Sequence, residues 1–194
     1  MTAPRIEVHP VTPDRWDDLE ALFGPRGACA GCWCMFFRLP RAAFSKGKGA
    51  GNRRALRALV KKGEEPGLLA YADGAPVGWC SYAPREYFPA LERSRVLAPV
   101  DDKPVWSVTC FFIARGWRRK GVTVALLRAA AARAAERGAR MLEGYPIDPK
   151  KGTQAVDTFA WTGIAGGFEK AGFKEAARRS ATRPIMRRRL RAPK

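Results

Sequence analysis

Residues 110–127, "CFFIARGWRRKGVTVALL", constrain this chain more than any other stretch. An apolar run rich in β-branched and aromatic side chains, "VWSVTCFFI", shows only weak alternation, the pattern of a strand covered on both faces. It passes into Arg115, Arg118, Arg119 and Lys120, crosses Gly121, and continues as an aliphatic helix ending near Gly138. At about 100° per residue, Val124, Leu127, Ala130, Ala131, Ala134 and Ala135 fall on one half of that helix. Arg128, Arg133, Glu136 and Arg137 fall on the other, so the helix packs on a sheet through small alanines.

A helix N-terminus has unpaired backbone N–H groups and the positive end of the helix dipole, and both attract an anion. Three consecutive cations and a glycine at that point imply a phosphate-bearing ligand. "GWRRKGVT" keeps the G-x4-G spacing of a nucleotide-binding phosphate loop, but Val122 stands where such a loop needs its lysine. No G-x-G-x-x-G is present, which argues against a dinucleotide enzyme.

Other signals organise the remaining chain. Ile6 and Val8 alternate with polar neighbours as a short strand, and Thr12-Pro13 reads as the cap and first position of a helix through Phe23. Residues 24–52 read as a long irregular passage, followed by a helix around Leu56, Leu59 and Val60 that closes at Gly63. Asp73-Gly74 sits between two apolar runs, where a tight hairpin turn needs positive φ. A short helix near "REYFPALERS" precedes the central strand, and "ARMLEGYPI", "GGFEKAGF" and two basic segments follow the aliphatic helix. Strands interleaved with helices predict a mixed α/β sheet with helices on both faces. The 194 residues, 46% of them apolar, suit one domain with a sizeable core.

The segment Arg118-x-x-Gly121-x-Thr123, between an apolar strand and an aliphatic helix, resembles the acetyl-CoA loop of the GNAT N-acetyltransferase superfamily, [Q/R]-x-x-G-x-[G/A]. Thr123 departs from the pattern at its last position. "ADGAPVGW", "ERGARMLEGYP" and "FEKAGFKEAARR" are similar to the family's second hairpin, fifth strand, and closing helix and strand. The resemblance implies a single domain over residues 1–194, with the cofactor loop at 111–123 and basic C-terminal strands at 173–190. It also implies a mostly antiparallel twisted sheet with a V-shaped splay between the fourth and fifth strands. Acetyl-CoA is then the implied co-substrate, held by Phe111, Phe112 and Ile113 on the strand edge and by Arg118, Arg119, Lys120, Gly121, Val122 and Thr123 in the loop. The implied acceptor is a primary amine attacking directly in a ternary complex, with a backbone N–H near Phe111 polarising the thioester carbonyl. The family often forms dimers, so a homodimer is an implied assembly.

The acid and base are less sharply marked. The family often places a tyrosine where this chain has Phe168, which carries no proton to donate. Glu143 and Tyr145, two apart on the predicted fifth strand, share a face near the splay and are the catalytic candidates. The alternative for Glu143 is an exposed strand carboxylate, and for Tyr145 a packing residue. Ser107 and Asp148 are weaker candidates. Cys110 on the fourth strand is read as a structural thiol, with an acetyl-cysteine intermediate as the alternative.

The five cysteines are odd in number and no signal-like segment precedes them, which suits a reducing cytoplasm. No apolar run approaches the roughly 20 residues of a membrane span. "CAGCWC" puts Cys29, Cys32 and Cys34 together, but three thiols fall short of the four ligands structural zinc takes. No metal is therefore expected, and "CWCMFF" is read as an apolar wall toward the acceptor. The formal charge of +18 and eight cations in "RRSATRPIMRRRLRAPK" keep a nucleic-acid partner open as an alternative function, though no aromatics in that tail offer stacking. A CoA-binding domain without turnover is the third reading, which Phe168 keeps open.

Overall fold

The computed structural model describes residues 5–149 and 157–191. Among these residues seven strands form one sheet: β1 (Ile6–Pro10), β2 (Gly67–Ala72), β3 (Ala75–Pro84), β4 (Trp106–Ile113), β5 (Met141–Gly144), β6 (Lys174–Arg178) and β7 (Pro184–Arg189). Their spatial order is β1-β2-β3-β4-β5-β7-β6, and only the β4–β5 pair is parallel. The helices are α1 (Trp16–Phe23), α2 (Arg41–Lys46), α3 (Ala50–Lys61), α4 (Pro89–Glu92), α5 (Val122–Glu136) and α6 (Ala165–Lys170).

Local chemistry explains several boundaries. Asp73 and Gly74 both take positive φ, 50° and 75°, which matches the turn twist to that of the β2–β3 hairpin. Thr12 precedes a 3-10 turn, Pro13–Arg15, rather than α1 itself, and its hydroxyl accepts from Arg15 rather than capping a backbone N–H. The passage 24–52 is mostly turns, but it contains α2, which its glycines and cations concealed.

Two cores cover the two sheet faces. On one, α5 lays Val122, Leu126, Leu127, Ala130, Ala131 and Ala134 against Leu68, Cys80, Val108 and Phe111. On the other, Trp16, Leu19 and Phe23 of α1 and Leu56 and Val60 of α3 pack with Leu69, Trp79 and Cys110. A third cluster, including Phe37, Phe88, Leu91, Tyr145 and Ile185, closes the sheet beside β5. β4 supplies residues to both faces, as its continuous apolar sequence requires. Among the described residues no helix is long and apolar enough to cross a membrane.

Candidate active site

The β4–β5 ladder is short. Trp106, Ser107 and Val108 pair with Leu142, Glu143 and Gly144, and β5 then ends while β4 continues to Ile113. Beyond Val108, β4 keeps only its β3 partner among the described residues, with Cys80, Trp79 and Gly78 opposite Phe111, Phe112 and Ile113. The strand bends where the parting begins, because Tyr82 faces Val108 while Ser81 faces Cys110, leaving Thr109 as a bulge.

Phe168 fills the inner part of this opening. It is fully buried, edge-on to Phe111 at 6.0 Å and to Phe173 at 5.1 Å between ring centroids. A Cβ on Gly144 would lie 2.1 Å from its ring, and one on Gly163 would lie 2.8 Å away. Both glycines are thus required by the close approach of one aromatic side chain. Phe168 is a wedge between strands, so its lack of a hydroxyl agrees with its surroundings.

The cationic loop follows the open end of β4. Arg115–Trp117 form a 3-10 turn, Arg119 takes φ 61°, and Gly121 caps α5 at φ 83°. Nothing lies within 4 Å of the Cβ position at Gly121, so the space above the helix start is clear. The Gly121 carbonyl accepts from the N–H of Ala125, and the preceding first-turn N–H groups have no intrahelical acceptor. Arg118, Arg119 and Lys120 are exposed around it, with Lys120 Nζ 5.1 Å from the Trp117 ring centroid. Thr123 faces α6 at Gly167, where even an added Cβ would lie 3.9 Å from the threonine methyl, so the extra bulk at this position is accommodated without a clash.

At the closed end of the splay, the structure brings Glu143 and Tyr145 together with Ser107 and with four residues the sequence did not link to them, Arg85, Glu92, Asp101 and Arg187. The Tyr145 hydroxyl donates to Glu143 Oε1 at 2.7 Å, and it lies 2.8 Å from the Ser107 hydroxyl. Arg85 donates to the Tyr145 oxygen at 2.8 Å and to Glu143 Oε1 at 3.0 Å. Arg187 donates to Glu143 Oε2 at 2.7 Å and to Asp101 at 2.8 Å. Glu92 completes the group on Arg85 Nε at 2.9 Å. Glu143, Tyr145 and Ser107 all have 0% relative exposure. Glu143 is therefore no exposed strand carboxylate, and its charge is shared by two guanidinium groups. Burial, and then the Glu143 charge, pushes the Tyr145 phenol well above its ordinary value, so it stays protonated at neutral pH. Arg85 and Arg187 left no local signal because each is one of many arginines.

The remaining candidates lie elsewhere. Asp148 is held by Arg178 at 2.7 Å. Cys29 is exposed, Cys32 half-buried, and Cys34 buried against Cys110. Among the described residues no group of three or more His, Cys, Asp or Glu side chains could hold a metal ion. "CWCMFF" does reach the β4 side: Phe36 and Phe37 pack on Trp161 at 5.3 and 5.4 Å, and Phe36 remains 43% exposed. Much of the C-terminal charge is used internally. Arg178 binds Asp148 and Glu175, Arg179 binds the Ala98 and Pro99 carbonyls, and Arg188 binds that of Ala171.

The model of the acetyltransferase (GNAT) family matches residues 33–156. The chain belongs to the GNAT family. Solved structures share its fold at low identity. An acetyltransferase of the GNAT family from Listeria monocytogenes superposes with a TM-score of 0.57 at 10% identity, covering 98% of this chain and 99% of that one. An N-acetyltransferase from Staphylococcus aureus Mu50 gives 0.56 at 12%, covering 96% and 99%. The PaiA N-acetyltransferase of Thermoplasma acidophilum, solved with coenzyme A, gives 0.54 at 13%, covering 96% and 99%. A search of curated protein sequences finds no match. For a GNAT enzyme the co-substrate is acetyl-CoA, and the parted strands and cationic helix start of this chain are compatible with its extended, anionic shape.

Proposed function

We propose that this GNAT chain transfers an acetyl group from acetyl-CoA to the primary amine of a small molecule, peptide or protein, by direct attack in a ternary complex. The observation that carries the reading is the conjunction of an open, glycine-capped helix start ringed by cations with a strand whose outer half lacks a partner on one side among the described residues. Acetyl-CoA supplies an activated thioester and about four negative charges.

In this reading the first-turn N–H groups at Val122 and Thr123 bind the diphosphate, with Arg118, Arg119 and Lys120 adding charge and Gly121 allowing close approach. Phe111, Phe112 and Ile113 offer the free edge of β4 to the amide groups of the co-substrate. A main-chain N–H near Phe111 polarises the acyl carbonyl, where negative charge develops. Glu143 and Tyr145 handle protons indirectly: Tyr145 already donates to Glu143 and can accept from Ser107, which makes a directed chain of hydrogen bonds. The side chains around Phe36 and Trp161 form the acceptor wall. The cytoplasm is the proposed compartment, consistent with five free thiols.

Calorimetric titration of acetyl-CoA at moderate salt tests the reading, with Gly121→Asp and Gly116→Asp side by side. Both glycines have open space at Cβ, but only Gly121 caps the helix. One-to-one binding that is lost in Gly121→Asp and kept in Gly116→Asp is expected, followed by amine-dependent thiol release across an acceptor panel. Absence of binding by the unaltered protein would overturn the proposal. Binding without turnover on any amine would leave a CoA-binding domain.

A further inference from the structure

Cys34 and Cys110 are 76 positions apart in sequence, yet their sulfurs lie 2.9 Å apart. Both are buried, with relative exposures of 4% and 6%, within the core formed by α1, α3 and β4. Cys110 belongs to β4, immediately before Phe111. Cys34 belongs to the turn-rich segment before α2, where Trp33 and Cys34 hold positive φ of 46° and 51°. Such angles cost non-glycine residues energy and persist only when surroundings impose them. Here Trp33 is stacked on Trp16 at 6.1 Å, tilted against Phe23 at 5.5 Å, and lies over Gly27, where a Cβ would come within 2.1 Å of its ring. The segment therefore aims the Cys34 sulfur at β4.

The other thiols differ. Cys80 packs into the opposite sheet face with α5, while Cys29 is exposed and Cys32 half-buried. The direct-attack route proposed above uses neither Cys34 nor Cys110. Closing their gap to a disulfide length needs a movement of about 0.9 Å.

We propose that Cys34 and Cys110 are a reversible dithiol pair that a peroxide converts to a disulfide, clasping the segment before α2 to β4. One thiolate attacks the peroxide, the O–O bond breaks, and a sulfenic acid and hydroxide form. The second thiolate attacks the sulfenic sulfur, the S–S bond forms, and the S–O bond breaks. The protons released by both thiols leave with the oxygens, so two thiols and one hydrogen peroxide give one disulfide and two waters. An external thiol reverses the reaction by exchange. Burial pushes the Cys34 thiol up, which keeps that thiol unreactive at rest and makes its part in closure slow rather than immediate. The clasp joins the wall that carries Phe36 and Phe37 to the strand that carries Phe111, and it does not depend on which acceptor the protein uses.

The test exposes the reduced native protein to hydrogen peroxide, quenches it, unfolds it, alkylates the remaining thiols and maps the peptides by mass spectrometry. Unaltered protein, a Cys29→Ser/Cys32→Ser double variant and Cys34→Ser are compared. The expected result is a cross-link between the Cys34 and Cys110 peptides, retained in the double variant, absent in Cys34→Ser, and removed by dithiothreitol. A cross-link confined to Cys29 and Cys32 would overturn the proposal. So would oxidation of Cys29 with both Cys34 and Cys110 still open to alkylation after unfolding. Because the readout is a covalent bond, failure of the acetyltransferase reading would leave this result unaffected.

Discussion

Glu143 receives hydrogen bonds from Arg85 at 3.0 Å and from Arg187 at 2.7 Å, so one fully buried carboxylate joins the segment before α4 to β7 across β5. Removing its charge leaves the guanidinium groups of Arg85 and Arg187 with Glu92 and Asp101 as their carboxylate partners among the described residues. Breaking a buried ion pair from one side costs about 3–5 kcal/mol. Glu143→Gln should lower the unfolding free energy by that order in urea titrations, and a loss below about 1 kcal/mol would contradict the pairing.

Tyr145→Phe separates proton handling from support. The ring remains, while the link between Ser107 and Glu143 is lost. The proposed relay predicts a fall in kcat of about 10-fold or more with unchanged acetyl-CoA affinity. A purely structural hydroxyl would leave kcat within about 2-fold and lower only the melting temperature, by an amount set by its net hydrogen-bond energy.

Phe168→Tyr does not restore a catalytic acid here. The ring is fully buried and lies so close to Gly144 and Gly163 that a Cβ at either would clash with it, so a phenol oxygen would be added to a close-packed site. The expected outcome is a loss of about 1–3 kcal/mol in stability with no gain in turnover. Gly144→Ala should be destabilising by a similar mechanism, and Phe168→Leu added to it should recover part of the loss in a denaturation cycle.

Asp101 provides a pH signature. Its hydrogen bond with Arg187 holds the carboxyl below the ordinary 3.8. A depressed folded-state value means that the unfolded chain binds the proton more readily. The stabilisation is therefore complete above 3.8 and disappears as pH falls through the lower folded value. Urea midpoints measured between about pH 5 and pH 2 should fall less steeply for Asp101→Asn than for the unaltered protein.

Thiol accessibility should follow burial. Burial pushes the Cys34 and Cys80 thiols up, while Cys29 is exposed. In the native protein Ellman's reagent should titrate Cys29 readily, and Cys34 and Cys80 only after unfolding.

The parts of this protein legible in the sequence are those set by neighbours along the chain. Asp73-Gly74 turns because adjacent residues must both take positive φ, and β4, Gly121 and α5 follow from apolar patterning and helix-end chemistry within about twenty residues. Those segments also carry the likeness that gave the fold class and the family. The tertiary structure alone decided what Glu143 and Cys110 face. Periodicity assigns a side chain to a face, but partners 44, 58 and 76 positions away in sequence are chosen by how the sheet is ordered and packed. Arg85 and Arg187 carried no local mark, and the "CAGCWC" spacing grouped Cys34 with its chain neighbours rather than with Cys110; the completed sheet, with β7 beside β5 and the pre-α2 segment folded onto β4, gave each its partner.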